Sequence, residues 1–461
     1  MKIKKFICIL ISTLSLFALA ACGGGKTDGG EPAVEYDIPA YADDAGMRIG
    51  GYCYPAADLV SPEIYADAAA AGVNLITVPL GGAAGYNMSK LTEILGYCND
   101  AGVKALVSDT AINLSTQNFT NFNSYSAYPA FYGNHLVDEP NVSNWPAVKK
   151  MYDAFAAAAP GKLGLININE PPEYTGKFEK AADDFMTLMR GGEYKIDHLS
   201  YDMYPLIIDS HTGELSVKGN YFTSLEIIKR AAVRYGVSAH NYILSVKHEG
   251  QFIYPQPTEA SLRWQLACSM AFGYESFTHF TYWPVGSLAQ ESENGTVKAG
   301  DGYTYWPSAI DRSGGKTEIY GFLKTVNSEA LAWDHVYLKY AWRGISALEG
   351  SQSVKNWGLA TLQHKTDPDE IDGIQSIAST EDALCGIFGD ADGNRGFMLT
   401  NASNPYDNKA ASIEIRFDAV YKGVQIFERG VPKIYELDKD GKTTVGLESG
   451  EGKFLIPLKA K

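Results

Sequence analysis

Two glutamates in this chain stand where an apolar run ends and the backbone is then broken. Glu139 closes the run Phe131-Tyr132-Gly133-Asn134-His135-Leu136-Val137-Asp138-Glu139 and precedes Pro140. Glu249 closes Tyr242-Ile243-Leu244-Ser245-Val246-Lys247-His248-Glu249 and precedes Gly250. An apolar run with polar residues only at its C-terminal end is the pattern of a buried strand that delivers a side chain to a site. Two carboxyls suit a reaction in which one acid protonates a leaving oxygen while a second carboxylate attacks or activates water. A single glutamate before a proline or glycine is as often a solvated strand end. The weight therefore falls on the pair and on the elements that carry it.

Those elements follow a strand–helix rhythm that begins near Met47. Apolar runs at 48–55, 74–80, 104–110, 131–139, 162–169, 197–206, 242–249 and 275–285 read as strands. Between them, Ser61-Pro62 opens a helix that Gly72 closes. Residues 89–101 put Leu91, Ile94, Leu95 and Cys98 on one face, with Gly102 as C-cap. Ser143 caps a helix that ends before Pro160-Gly161. Further helices are expected over 174–190, 223–235, 258–272 and 317–333, and residues 113–130 read as a long loop. Eight strands alternating with helices imply parallel strands and a closed (β/α)8 TIM barrel over residues 46–334. From about residue 335 the helical period stops. Short β-rich runs such as 383–389 and 396–401, with turns at 390–394 and at Asp440-Gly441, predict an antiparallel β-sandwich over 335–461. There is no internal repeat.

With 461 residues, 45% hydrophobic and 20% charged, the chain is globular and long enough for two domains. A net charge of −15 argues against a nucleic-acid partner and against binding to anionic membrane surfaces. Residues 1–21 read as a signal peptide, with Lys2, Lys4 and Lys5 ahead of an apolar stretch. The segment closes on Leu19-Ala20-Ala21-Cys22, which resembles the lipobox of bacterial lipoproteins. The resemblance implies lipidation of Cys22, an anchor in the membrane and a place on the cell surface, with the glycine-rich stretch 22–45 as tether. The other cysteines, Cys53, Cys98, Cys268 and Cys385, have neither disulfide-framework nor metal-ligand spacing. No cofactor motif is present, and Asp109, Asp202 and His248 do not have diagnostic metal spacing.

In a barrel of this kind the site lies at the C-terminal ends of the strands. The polar residues expected there are Asp109, Asp138, Glu139, Asn169, Glu170, Asp202, Tyr204, His248, Glu249, Tyr282 and Trp283. A barrel with glutamates ending strands four and seven resembles the large clan of retaining (β/α)8 glycoside hydrolases. That resemblance implies a carbohydrate substrate with a β-linked glycosidic bond, Glu139 as acid/base and Glu249 as nucleophile. It also implies that Tyr204, in Asp202-Met203-Tyr204-Pro205, stands near the nucleophile. Trp283, in Thr281-Tyr282-Trp283-Pro284, would floor a sugar subsite, with Asp138, Asp202, His248 and Tyr282 as further substrate contacts.

The chain departs from the clan's pattern at two points. Asp138 stands where the clan usually has an asparagine; it can accept but not donate unless protonated, and its charge raises the pKa of Glu139. Strand two ends Val78-Pro79-Leu80, with no arginine. Asn169-Glu170-Pro171 is a rival acid motif, but choosing it leaves one strand too many before it. Tyr303, Tyr305 and Trp306, after strand eight, are candidates to stack on sugar rings or to pin their loop. The competing expectation is a surface lipoprotein that binds glycan without cleaving it.

Overall fold

The structure, a computed structural model, describes residues 34–44, 46–82, 85–353 and 358–461. The signal segment, Cys22 and most of the tether lie outside the described residues.

Eight parallel strands close a barrel: β1 Arg48–Gly51, β2 Leu75–Leu80, β3 Lys104–Asp109, β4 Phe131–Asp138, β5 Leu163–Ile168, β6 His198–Tyr201, β7 Ser238–Leu244 and β8 Ser276–Phe280. Each strand pairs with the next in the chain, and β8 returns to β1. The helices that follow the strands are α1 Pro62–Ala70, α2 Met88–Ala101, α3 Phe122–Tyr125, α4 Trp145–Ala158, α5 Phe178–Met189, α6 Tyr221–Tyr235, α7 Glu259–Ala271 and α8 Glu318–Leu331. Helix α2 buries Leu91, Ile94, Leu95 and Cys98 and ends on Gly102 at φ 74°, as its pattern requires. Ser143 does not cap α4; it lies in the turn Val142–Asn144, and Asn144 takes the N-cap position.

Four strands end well before their sequence runs: β1 stops at Gly51, β6 at Tyr201, β7 at Leu244 and β8 at Phe280. Beyond the last three the extended backbone changes partners. Leu206–Ile208, Leu215–Val217, His248–Glu249, Ile253–Tyr254, Val297–Lys298 and Thr304–Tyr305 form a second, antiparallel sheet over the barrel mouth. Periodicity marks extended backbone in both cases, but it does not say which strand is the neighbour.

The C-terminal part is a β-sandwich. Its strands are β9 Ala341–Leu348, β10 Ile374–Ser379, β11 Ala383–Gly389, β12 Arg395–Asn401, β13 Ala411–Phe417, β14 Tyr421–Glu428, β15 Val431–Glu436, β16 Lys442–Leu447 and β17 Gly452–Lys459. Six form one antiparallel sheet in the order β9-β11-β12-β17-β14-β15, and three form another in the order β10-β13-β16. Ile377, Ile413, Val445, Phe397, Leu399 and Leu455 fill the space between them. The outer face of the large sheet packs on α7, which explains why α7 is buried along nearly its whole length and shows no polar face. The contact is close: Trp342 Nε1 donates to the Ala271 carbonyl at 3.2 Å, and a Cβ at Gly386 would collide with that same carbonyl oxygen. Trp333 stacks on Phe427 and Phe454, with centroids 5.5 and 5.4 Å apart, so one apolar core runs from barrel to sandwich.

Candidate active site

The site is built from the ends of β4, β5 and β6. β4 carries an extra residue between His135 and Val137, after which Asp138 pairs with Asn167 of β5. Such a bulge re-aims the side chains beyond it. Glu139 follows at φ 43°, a left-handed conformation that costs a non-glycine residue of order 1 kcal/mol or more. Its N–H donates to the Asn167 carbonyl at 2.9 Å, and Pro140 ends the strand. Here the backbone leaves the barrel with the Glu139 carboxylate open to the mouth.

Asn167 joins two acids. Its Nδ2 donates to Asp138 Oδ1 at 3.0 Å and to Asp202 Oδ1 at 2.9 Å. Its Oδ1 accepts from Ser200 Oγ at 2.8 Å, and Ser200 Oγ lies 2.8 Å from His240 Nδ1. Since Ser200 gives its one hydrogen to Asn167, His240 must donate from Nδ1, and its Nε2 accepts from Thr278 Oγ1 at 2.9 Å. Burial keeps His240 neutral, with its pKa pushed down to about 3. This chain of buried groups across β8, β7 and β6 turns the Asn167 amide so that its two hydrogens face the carboxylates.

The third acid completes the cluster. The Glu139 carboxyl stands close enough to Asp202 for the two to influence each other's ionisation, and Asn169 favours its charged form. Burial and the neighbouring charge of Asp138 raise the Glu139 pKa. Asp202 is raised well above the usual carboxylate range, by burial and by the charges of Glu139 and Asp138. Asp202 is the more enclosed of the two, and carboxyls this close titrate as a pair.

Aromatic rings wall the cluster. Tyr52, Tyr204 and Tyr242 all feel the negative charge of Asp138 and Asp202, and burial drives all three phenols up. Phe280, at the end of β8, stacks on Tyr204 at 5.3 Å and on Tyr52 at 5.8 Å.

Of the residues singled out in the sequence, Asp138, Glu139, Asp202 and Tyr204 therefore come together. Glu249 and His248 lie in the antiparallel sheet beyond the end of β7. The His248 ring stacks between Tyr254 at 4.2 Å and Tyr305 at 5.0 Å, and its burial lowers its pKa to about 4. Glu249 pairs with Lys247 at 3.3 Å and is 40% exposed. Tyr282 and Trp283 are 0% and 1% exposed. Trp283 packs on Tyr65 and Tyr282, so its ring offers no face to a sugar, against the expectation from the resemblance. The ring beside the acids is Phe280. Asp109 is used internally, accepting from Ala111 N, Asn121 Nδ2 and Tyr125 Oη. Glu170 lies past the end of β5 and accepts from Asn220 at 2.9 Å, while Asn169 serves Glu139.

Asn167, Tyr52, Tyr242 and Phe280 were not singled out in the sequence. Asn167 had a signal: a polar side chain within the apolar run Leu163-Gly164-Leu165-Ile166-Asn167-Ile168 must find buried partners. The aromatic residues had none, because a core ring and a ring beside a site share the same pattern.

No family model and no curated protein matches this chain. Among solved structures it is similar to a family 5 glycoside hydrolase from Bacteroides vulgatus ATCC 8482. The TM-score is 0.53 and the identity 9%, with 90% of this chain and 89% of that chain covered. It is also similar to a family 39 glycoside hydrolase from the gut symbiont Bacteroides cellulosilyticus WH2. Here the TM-score is 0.49 and the identity 12%, covering 91% of this chain and 83% of that one. At 9% identity the likeness to the family 5 structure is one of fold.

Proposed function

We infer that this protein is a glycoside hydrolase acting on a β-linked oligo- or polysaccharide at the mouth of the barrel. The observation that carries the reading is the cluster of Asp138, Glu139 and Asp202 at the C-terminal ends of β4 and β6, gathered by the Asn167 amide. An acid whose pKa is raised by burial and a like charge keeps its proton nearer neutral pH, which is what a leaving glycosidic oxygen needs. Glu139 is that acid. Asp202 shares the Asn167 amide with Asp138, the residue before Glu139, and so belongs to the same corner of the mouth as the acid. A retaining pair needs its carboxyls about 5–5.5 Å apart. The nucleophile in this reading is Glu249, which attacks the anomeric carbon. Glu139 first protonates the leaving oxygen and then takes a proton from the water that releases the sugar. The lipobox-like Leu19-Ala20-Ala21-Cys22 supports an exported protein anchored on the cell surface through Cys22.

One observation favours the second reading, a non-catalytic glycan-binding lipoprotein. β7 ends on Leu244 and buried Ser245, and its glutamate comes only in the added sheet. Turnover separates the two. Aryl β-glycosides and a panel of polysaccharides are incubated with wild type, Glu139→Gln and Glu249→Gln. The enzyme reading expects hydrolysis by wild type and a loss of roughly a hundredfold or more in each variant on natural glycans. Glycan binding with no turnover on any member of the panel would overturn it.

A further inference from the structure

The sheet over the barrel mouth carries a cation that is held by aromatic rings and, among the described residues, by no ion pair. Lys218 directly follows the strand Leu215–Val217 at the edge of that sheet. Its ammonium donates to Tyr254 Oη at 2.8 Å and lies 4.2 Å from the centre of the Phe252 ring and 5.1 Å from that of Tyr254. Among the described residues it forms no ion pair. Lys247, in the same layer, has a similar aromatic support, 4.0 Å from the Trp306 ring, but is paired with Glu249 at 3.3 Å.

Lys218 faces the same mouth as the acids. The charge of Asp202 acts on it, and Tyr254 packs edge-on against Tyr204 at 6.0 Å. Burial against the rings lowers its pKa to about 8, opposed by Asp202. A half-buried ammonium has lost part of its hydration. Ring faces and a phenol return only part of what an anion would. A sugar hydroxyl would add an ordinary hydrogen bond, whereas a carboxylate or sulfate adds a charge-assisted one, roughly twice as strong. The charge of Asp138, the second cause of the raised Glu139 pKa, repels an anion from the point of cleavage. The anionic group must therefore sit on a neighbouring sugar, over the added sheet. A protein with a net charge of −15 also needs a local cation to draw in such a ligand.

We propose that Lys218 anchors a subsite for an anionic substituent, the carboxylate of a uronosyl residue or a sulfate ester, so that the glycan taken at this mouth is an acidic one. The proposal rests on the reading that the barrel mouth binds glycan, and it names the glycan's class.

The test is calorimetric titration of the Glu139→Gln protein, which holds substrate uncleaved, with three probes: hexamers of β-1,4-linked mannuronate, the same hexamers with carboxyls reduced to alcohols, and a sulfated xylohexaose. Each is repeated in Lys218→Met, which keeps the stem against Phe252 and Tyr254 but removes the charge, and in Lys218→Arg. An anionic hexamer should bind roughly tenfold or more tightly than the neutral one. Lys218→Met should erase the preference and Lys218→Arg retain most of it. The mannuronate and sulfate arms tell the two anions apart. Equal affinity for charged and neutral hexamers, a preference that survives Lys218→Met, or no binding of any probe would overturn the proposal. Failure here is distinct from failure of the enzyme reading. Turnover of neutral glycans indifferent to Lys218 removes the subsite and leaves the hydrolase. Lys218-dependent acidic binding without turnover does the reverse.

Discussion

Asp202 and Asp138 are held by one side chain, the Asn167 amide, at 2.9 and 3.0 Å. Glu139, next to Asp138, is close enough to Asp202 that neither titrates alone, because the proton that leaves one changes the charge seen by the other. Three acids in one corner would ordinarily repel one another apart. Here a neutral donor joins two of them.

Asp138 is one of the two causes that raise the Glu139 pKa. In Asp138→Asn that charge is gone, so ionised Glu139 becomes less costly and its pKa falls. The acid then loses its proton at lower pH. The alkaline limb of the kcat/KM profile should move to lower pH relative to wild type, read from initial rates across pH 4–9. An unmoved limb would mean that the group titrating there is not Glu139.

Asp202 has a folded-state pKa above its ordinary value. Its contribution to stability is present below the unfolded pKa, near 4, and is lost as pH rises toward the raised folded value. Asp202→Asn keeps an acceptor for Asn167 while removing the ionisation. The variant should match wild type at pH 4 and melt roughly 1–3 °C higher at pH 8, by scanning calorimetry. A variant less stable at pH 8 than at pH 4, relative to wild type, would show that Asp202 is ionised in the fold.

The roles of Glu139 and Glu249 can be read from the product formed with azide. With Glu249 replaced by Gly and an aryl β-glycoside as substrate, azide should restore turnover and give the α-glycosyl azide. With Glu139 replaced by Ala it should give the β-glycosyl azide. No rescue at position 249, with rescue at Asp202, would transfer the nucleophile's role.

Phe280 and Trp283 lie three residues apart, one beside the acids and one at 1% exposure in the core. Phe280→Ala should raise KM several-fold, since it removes a ring from the wall of the site. Trp283→Phe should leave KM unchanged and lower the melting temperature, because the smaller ring leaves a cavity beside Tyr65.

Trp333 spans the two halves of the molecule through its stacks on Phe427 and Phe454. Trp333→Ala should cost about 3–5 kcal/mol in denaturant unfolding. Barrel and sandwich should lose stability together, since one core serves both.

The eight-strand count, the order barrel then sandwich, and the buried face of α2 were all readable from period and turn residues. These depend on local physics: a strand or helix must alternate its apolar residues to bury a face, whatever it packs against. That Asp138, Glu139 and Asp202 end their strands at the barrel mouth was readable for a related reason, since a polar group at the end of an apolar parallel strand reaches that mouth. What the chain beyond a strand pairs with was not readable. His248 and Glu249 read as a continuation of β7, but after Leu244 the backbone leaves the barrel for a sheet made with residues near positions 207, 253 and 304. The same limit applies to Trp283, whose burial depends on Tyr65 from α1, and to Phe280, whose neighbours Tyr52 and Tyr204 come from the ends of β1 and β6. The sequence by itself determined the elements and which of their ends bear acids. Only the tertiary structure decided which of those acids act on one another, because hydrogen bonds and electrostatic shifts act over a few ångströms between residues that the chain holds far apart.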